Sequence, residues 1–184
     1  MIKHPFGPLS LKLDCTISCE GDYVLRTVLP EDVSSVYLDT LNSALATQFM
    51  GASKGMIHTE QTVQHYVQTM LHSSTDLFFG IFKNDVLCGT TRLHDICADK
   101  KSLWQGVLVF LPYQSKGLGF QLVNAASNFA LMELEIAKIS AGILKNNATS
   151  KHIFHKAGFN HVDNDLAYHE RQIWVKSSVQ KIIQ

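Results

Sequence analysis

The chain has 184 residues, 46% of them hydrophobic, with 16 Lys plus Arg against 16 Asp plus Glu and a formal net charge of zero. That composition suits one domain with a real core. It excludes a disordered chain and leaves no global field to draw the protein to nucleic acid or an anionic membrane. No apolar run approaches the roughly 18–20 residues of a membrane span, and the opening MIKHPFGPLSLKLD lacks the apolar stretch of a signal peptide. A cytoplasmic location is expected. Cys15, Cys19, Cys88 and Cys97 form no C-x-x-C pair, so they read as free thiols of a reducing compartment rather than as a zinc or disulfide framework. Asn147-Ala148-Thr149 matches the glycosylation pattern, but without a secretory signal it reads as chance.

In chain order, Leu9, Leu11, Leu13, Cys15, Ile17 and Cys19 alternate with polar residues, the pattern of a half-buried strand. Glu20-Gly21-Asp22 supplies turn chemistry and Tyr23–Leu29 a second strand, giving an opening hairpin. Pro30-Glu31-Asp32 predicts a helix start with acids at the positive end. Val33, Val36, Tyr37 and Leu41 carry that helix to about Leu45. After a glycine-bearing loop, Thr59 caps a second helix whose stripe is Val63, Tyr66, Val67, Met70 and Leu71. Leu77–Phe82 and Val86–Leu93 read as a strand pair across Lys83-Asn84-Asp85. A polar loop from Asp95 to Lys101 leads to a buried strand, Leu103–Leu111. A long helix to about Leu134 follows. Lys138–Leu144 is a strand, Ala148–Ala157 a short helix ended by Gly158, and Phe159–Val162 and Leu166–Val175 two closing strands. The mixture of tight turns and helical crossovers predicts an α/β fold with a mixed sheet. A single domain over 1–184 is expected, with 1–22 as an added N-terminal strand region and 177–184 as a tail.

Chemistry concentrates in Val107 to Gly119, VLVFLPYQSKGLG. A buried strand runs through a glycine-bearing loop into a helix. Gly117 and Gly119 remove side chains where a backbone must approach something closely, and loop amides at a helix N-terminus make an anion site. Lys116 adds a full charge and Gln114 an amide donor. The spacing fits neither the Walker A loop nor the dinucleotide G-x-G-x-x-G, since Leu122 stands where the third glycine belongs.

The Q-x-x-G-x-G of Gln114–Gly119 resembles the acyl-CoA pyrophosphate loop of the GCN5-related N-acetyltransferase (GNAT) superfamily. Asn147 to Phe159 is similar to that family's second block, N-x-x-S-x-x-x-Y-x-K-x-G-F, and the opening VLRTVLPED and GTTRLHDI stretches resemble its ribosomal-protein acetyltransferase (RimJ/RimL-like) branch. The resemblance implies a twisted mixed sheet of about seven strands with four helices, plus the extra N-terminal strand. It implies acetyl-CoA as co-substrate. Leu108, Val109 and Phe110 would lie along the pantetheine arm. Gln114, Ser115, Lys116, Gly117, Leu118, Gly119 and Phe120 would hold the pyrophosphate, and Asn147, Ser150, Phe154 and Lys156 would flank the arm and the adenosine. The reaction implied is direct attack of a neutral amine on the thioester.

Two positions depart from the family pattern. Many relatives place a Tyr as proton donor to the leaving thiolate; here it is Phe154, so water, Ser150 or Asn147 must assist. The start of the cofactor strand, Leu103-Trp104-Gln105-Gly106, lacks the carboxylate often found there. His94 is the expected base, with Asp95 beside it, because imidazole titrates near neutrality. Trp104 is a candidate to line the acceptor pocket. His58, His65 and His72, two helical turns apart, span about 10 Å per step and cannot share a metal; no metal site is expected. The expected acceptor is the primary amine of a small molecule or amino sugar. A protein N-terminus is the alternative, and a non-catalytic acyl-CoA-binding module a third reading. A homodimer is an expectation from family habit, and neither nucleic acid nor membrane is expected as a partner.

Overall fold

The structure, a computed structural model, describes residues 16–50, 55–164 and 170–178. The opening hairpin forms. Strand β1 (Thr16–Ser18) half-buries Ile17 between exposed Thr16 and Ser18 and pairs antiparallel with β2 (Val24–Thr27). Gly21 and Asp22 both adopt positive φ in the turn between them. Leu9 to Cys15, the first part of the expected strand, lies outside the described residues.

The helix expected from Pro30 is broken up. Pro30–Asp32 makes only a 3-10 turn. The Asp32 carboxylate is taken by the Arg26 guanidinium at 2.8 Å and by the Leu29 N–H at 2.7 Å, and Val33 is extended. Ser34 then caps α1 (Ser35–Asn42) by accepting from the Tyr37 N–H, while Ser43 ends α1 and caps the short α2 (Ala44–Thr47). Serine hydroxyls compete for backbone N–H groups, so they start and stop helices where an apolar stripe alone suggests continuity. Helix α3 (Glu60–His72) begins as read, at Thr59 with Thr62 completing a reciprocal cap. It buries Val63, Val67, Met70 and Leu71.

Strands β3 (Leu77–Lys83) and β4 (Val86–Cys97) turn at Asn84 and Asp85, both at positive φ. Strand β4 extends into the expected loop. Strand β5 (Ser102–Val109) stops short of Leu111, at a 3-10 turn over Leu111–Tyr113. Helix α4 (Leu118–Met132), β6 (Lys138–Leu144), α5 (Ala148–Lys156), β7 (Asn160–Asn164) and β8 (Arg171–Ser177) complete the described chain. Residues 165–169, part of the expected last strand, and 179–184, most of the expected tail, fall outside it. Eight strands form one sheet in the order β1-β2-β3-β4-β5-β6-β8-β7. The pair β5–β6 is parallel and the other neighbours are antiparallel. The mixed sheet is the expected one; the described helices number five rather than four.

Both faces of the sheet are covered. Alternation in β3 sends Phe79 and Ile81 to one side and Phe78 and Phe82 to the other, all buried, so the strand reads as a continuous apolar run. On one face α4 and α5 pack Leu122, Val123, Ala126 and Phe154 against Leu25, Phe79, Leu93 and Ile139. On the other, α1 and α3 pack Tyr37, Leu41, Val63 and Val67 against Phe78, Phe82 and Phe110. Burying each such large side chain contributes about 1.5–3 kcal/mol.

Candidate active site

Strands β5 and β6 pair only from Ser102 to Trp104 with Lys138 to Ser140. Beyond Trp104, β5 stays on β4 as far as Val109 while β6 stays on β8 as far as Leu144. The sheet therefore opens between them. The Phe110 N–H donates to the Cys88 carbonyl at 3.0 Å, and in an antiparallel ladder backbone groups alternate sides. Leu108 and Gly106 consequently turn their amides to β4, whereas Val107 and Val109 turn theirs into the opening. Of the three residues expected along the arm, Val109 turns its backbone N–H to the opening, whereas the Leu108 and Phe110 amides serve β4 and the Phe110 ring is fully buried, stacked on Tyr37 at 4.6 Å. Val107 shares the orientation of Val109, a placement that follows from register, which no local motif encodes.

The loop after β5 is built to present amides. Ser115 (φ 60°) and Gly117 (φ 79°) are both left-handed. Gly117 is the N-cap of α4, with no side-chain cap, and a Cβ there would meet nothing within 4 Å. Residues 114–117 are exposed. The first amides of α4 thus lie behind an exposed loop, uncapped by any side chain and with the helix dipole behind them, the arrangement that receives phosphate oxygens. The two glycines do different work. Gly119 is buried, and a Cβ there would lie 2.7 Å from Ile153 Cδ1; its missing side chain lets α5 approach α4, while its backbone amide stays in the first turn of α4. Gln114 bends back, its Nε2 donating to the Val109 carbonyl at 3.2 Å, and so braces the loop on the strand end. Lys116 Nζ sits 5.4 Å from the Tyr113 ring and Lys156 Nζ 4.4 Å from the Phe120 ring, so two cations flank the N-terminus of α4.

In α5 the expected residues separate. Asn147 is the N-cap; its Oδ1 accepts the Ser150 N–H at 3.0 Å. Phe154 is buried, edge-on to Phe159 at 5.0 Å, and so forms part of the core. Ser150 is partly exposed on the first turn.

On the opposite face, His94 lies directly across from Trp104, and Arg92 across from Gly106. His94 is some three residues from Val107 along the ladder, about 10 Å. Its Nδ1 is 2.8 Å from Asp95 Oδ2, a contact that places the proton on Nδ1 and leaves Nε2 as the acceptor. Above this face, Arg92 Nε donates to Asp76 Oδ1 at 2.7 Å, and Ser73 and Thr75 hydroxyls donate to Asp76 Oδ2. Burial pushes the Asp76 carboxyl up, but the Ser73 hydroxyl and the Arg92 guanidinium outweigh it and hold it below the usual carboxylate range. Burial also raises the Tyr66 phenol, against the opposing pull of Arg92, to which it is hydrogen-bonded. Thr40 ties α1 to the end of β5, its Oγ1 accepting the Leu111 N–H at 3.2 Å.

The family model for the Acetyltransferase (GNAT) domain matches residues 23–160. The chain belongs to the GNAT family. The Bacillus subtilis (strain 168) "Probable N-acetyltransferase YjcK" is 30% identical over 95 residues, a stretch spanning 50% of this GNAT chain and 52% of that relative. The chain thus matches about half the length of that curated protein. Among solved structures, the RimL ribosomal L7/L12 α-N-protein acetyltransferase in complex with coenzyme A superposes with a TM-score of 0.77 at 14% identity, covering 89% of this chain and 98% of that one. Spermidine N-acetyltransferase from Vibrio cholerae, in complex with CoA and spermine, gives 0.73 at 15% identity over 85% and 94%. At such identities these two establish the shared fold. Among the described residues, no helix is long and apolar enough to cross a membrane.

Proposed function

We propose that this GNAT chain is an acetyl-CoA-dependent N-acetyltransferase that acts on the primary amine of a small molecule. The observation that carries the reading is the opening of β5 from β6 directly ahead of an α4 N-terminus without a side-chain cap. The residues fit an acyl-CoA. Amides of 115–120 with Lys116 would receive the pyrophosphate, the free backbone edge at Val107 and Val109 the pantetheine amides, and Phe120, Ser150 and Lys156 the adenosine side. Bound there, acetyl-CoA supplies an acetyl thioester whose carbonyl carbon accepts the amine. The Val107 and Val109 amides aim at the edge where negative charge develops on the carbonyl oxygen, and preorganised donors stabilise such charge. His94 takes the amine proton through water, with Asp95 holding its Nδ1–H. Phe154 is a core ring with no proton to give, so the leaving sulfur is protonated by water or by Ser150.

The relatives named above act, by their names, on a ribosomal protein and on spermidine, so fold alone leaves the acceptor class open. A protein N-terminus is the second reading, favoured by exposed apolar side chains: Leu45 on α2, and Met56 and Ile57 in the loop before α3. The test has two parts. CoA, but not ATP, should raise the melting temperature. Thiol release from acetyl-CoA should then appear with one amine class among amino acids, amino sugars, peptides and polyamines. CoA stabilisation with no release from any amine would overturn the enzyme in favour of a binding module.

A further inference from the structure

On the proposed acceptor face, Gly106 leaves open space that the mechanism above does not use. A Cβ there would meet nothing within 4 Å. Residues of one strand face alternate, so Trp104 and Leu108 bound Gly106 along β5, while the register sets Arg92 and His94 against it across β4. All four of these side chains are partly exposed.

Arg92 is held rather than spent. Asp76 binds its Nε and Nη2 through a single oxygen, Oδ1, and Tyr66 takes a further hydrogen bond. A guanidinium has five N–H donors in a rigid fork, so the inner edge is fixed and outer donors remain. The Arg92 side chain keeps 38% of its exposure while Asp76 keeps 9%. Carboxylates on the face itself are scarce: across β4 and β5 the sequence holds one, Asp95, which faces His94. Asp76 is already bound to Arg92, Ser73 and Thr75. A polycation entering this space would meet a guanidinium and an imidazole. An anion would meet donors.

We propose that Arg92 determines acceptor specificity by receiving an anionic oxygen group, carboxylate or phosphate, carried close to the reacting amine, so that the acceptor is a compact anionic amine such as a free amino acid. This rests on the N-acetyltransferase reading. It puts the acceptor's anion opposite Gly106, one register position from the Val107 amide, and so demands a short separation between anion and amine. Bidentate pairing of guanidinium with a planar anion gives orientation as well as attraction.

The experiment compares kcat/KM with acetyl-CoA for free amino acids, the same amino acids as carboxamides, an amino-sugar phosphate and spermidine. The wild-type enzyme should prefer the carboxylate to its carboxamide by tenfold or more; preference for the sugar phosphate would instead name phosphate as the anion. Arg92→Lys keeps a cation beside Asp76 but loses the fork. It should cost the anionic acceptors tenfold or more, chiefly in KM, and the carboxamides much less. Equal turnover of carboxylate and carboxamide by the wild type overturns the proposal without any variant, as does a preference for spermidine or an equal loss for every amine in Arg92→Lys. In those cases acetyl transfer itself survives. Turnover of no amine, with CoA bound, removes the enzyme reading and this proposal with it.

Discussion

The two faces of the sheet are built by different rules. The cofactor side, from β5 through the 114–117 loop to α4, is a local construction: one strand, one loop and one helix, contiguous in sequence, with backbone amides as the working groups. The acceptor side is assembled from afar. Asp76 reaches Arg92 sixteen positions away, and Thr40 reaches Leu111 seventy-one positions away. Backbone sites are written in glycine positions and loop conformation, whereas side-chain sites depend on which strand lies beside which. The first kind is expected to tolerate change in its side chains and the second to fail when one partner is removed.

The largest effect is expected on the acceptor side. His94→Ala should lower kcat by about 100-fold, the range for a lost general base, with CoA affinity unchanged. Unaltered kcat would leave no base on that face. Next, Asp76→Asn should lower stability by about 2 kcal/mol, since a mostly buried acceptor of one guanidinium and two hydroxyls loses its charge. The sign with pH follows from its depressed pKa. The stabilisation is full above the ordinary carboxylate pKa and disappears as pH falls through the lower folded value. Urea midpoints of wild type and variant should therefore differ at pH 7 and converge in acid.

On the cofactor side the effects should be smaller and of another kind. Gly117→Val places a β-branched residue at φ 79°, which costs about 1–2 kcal/mol and should weaken CoA about tenfold by calorimetry while leaving the acceptor KM alone. Asn147→Ala removes a helix cap, about 1 kcal/mol of stability. If capping is its whole task, kcat stays as it was, and a large fall in kcat at unchanged CoA affinity would restore the catalytic role expected from sequence. Lys116→Gln should be smallest, a roughly threefold loss of CoA affinity that vanishes at high salt, as exposed charges are screened.

Much of the frame was legible in the chain itself. The Thr59 cap, the α3 stripe, the turn at Asn84 and Asp85 and the mixed sheet all follow from short-range pattern. The first helix breaks where the apolar stripe suggests continuity because Val33 is extended and the Ser34 and Ser43 hydroxyls cap new starts beyond it. Within the candidate site, the left-handed glycine loop was legible, whereas the residues that turn their amides into the opening were not. Which amides of a strand face a gap depends on the neighbour's register, and the sequence around Leu108 is apolar at every position.

By itself, then, the sequence determined the elements, the anion-binding loop and the resemblance to an acyl-CoA fold, because these are encoded within a few residues of one another. Only the tertiary structure decided that Gly119 lets two helices pack closely while Gly117 shapes the loop, that Phe154 and Phe110 are core, that Val107 turns its amide to the opening, and that Arg92 is the register partner of Gly106. Each of those is a relation between segments brought together by folding, and the distance along the chain hides it.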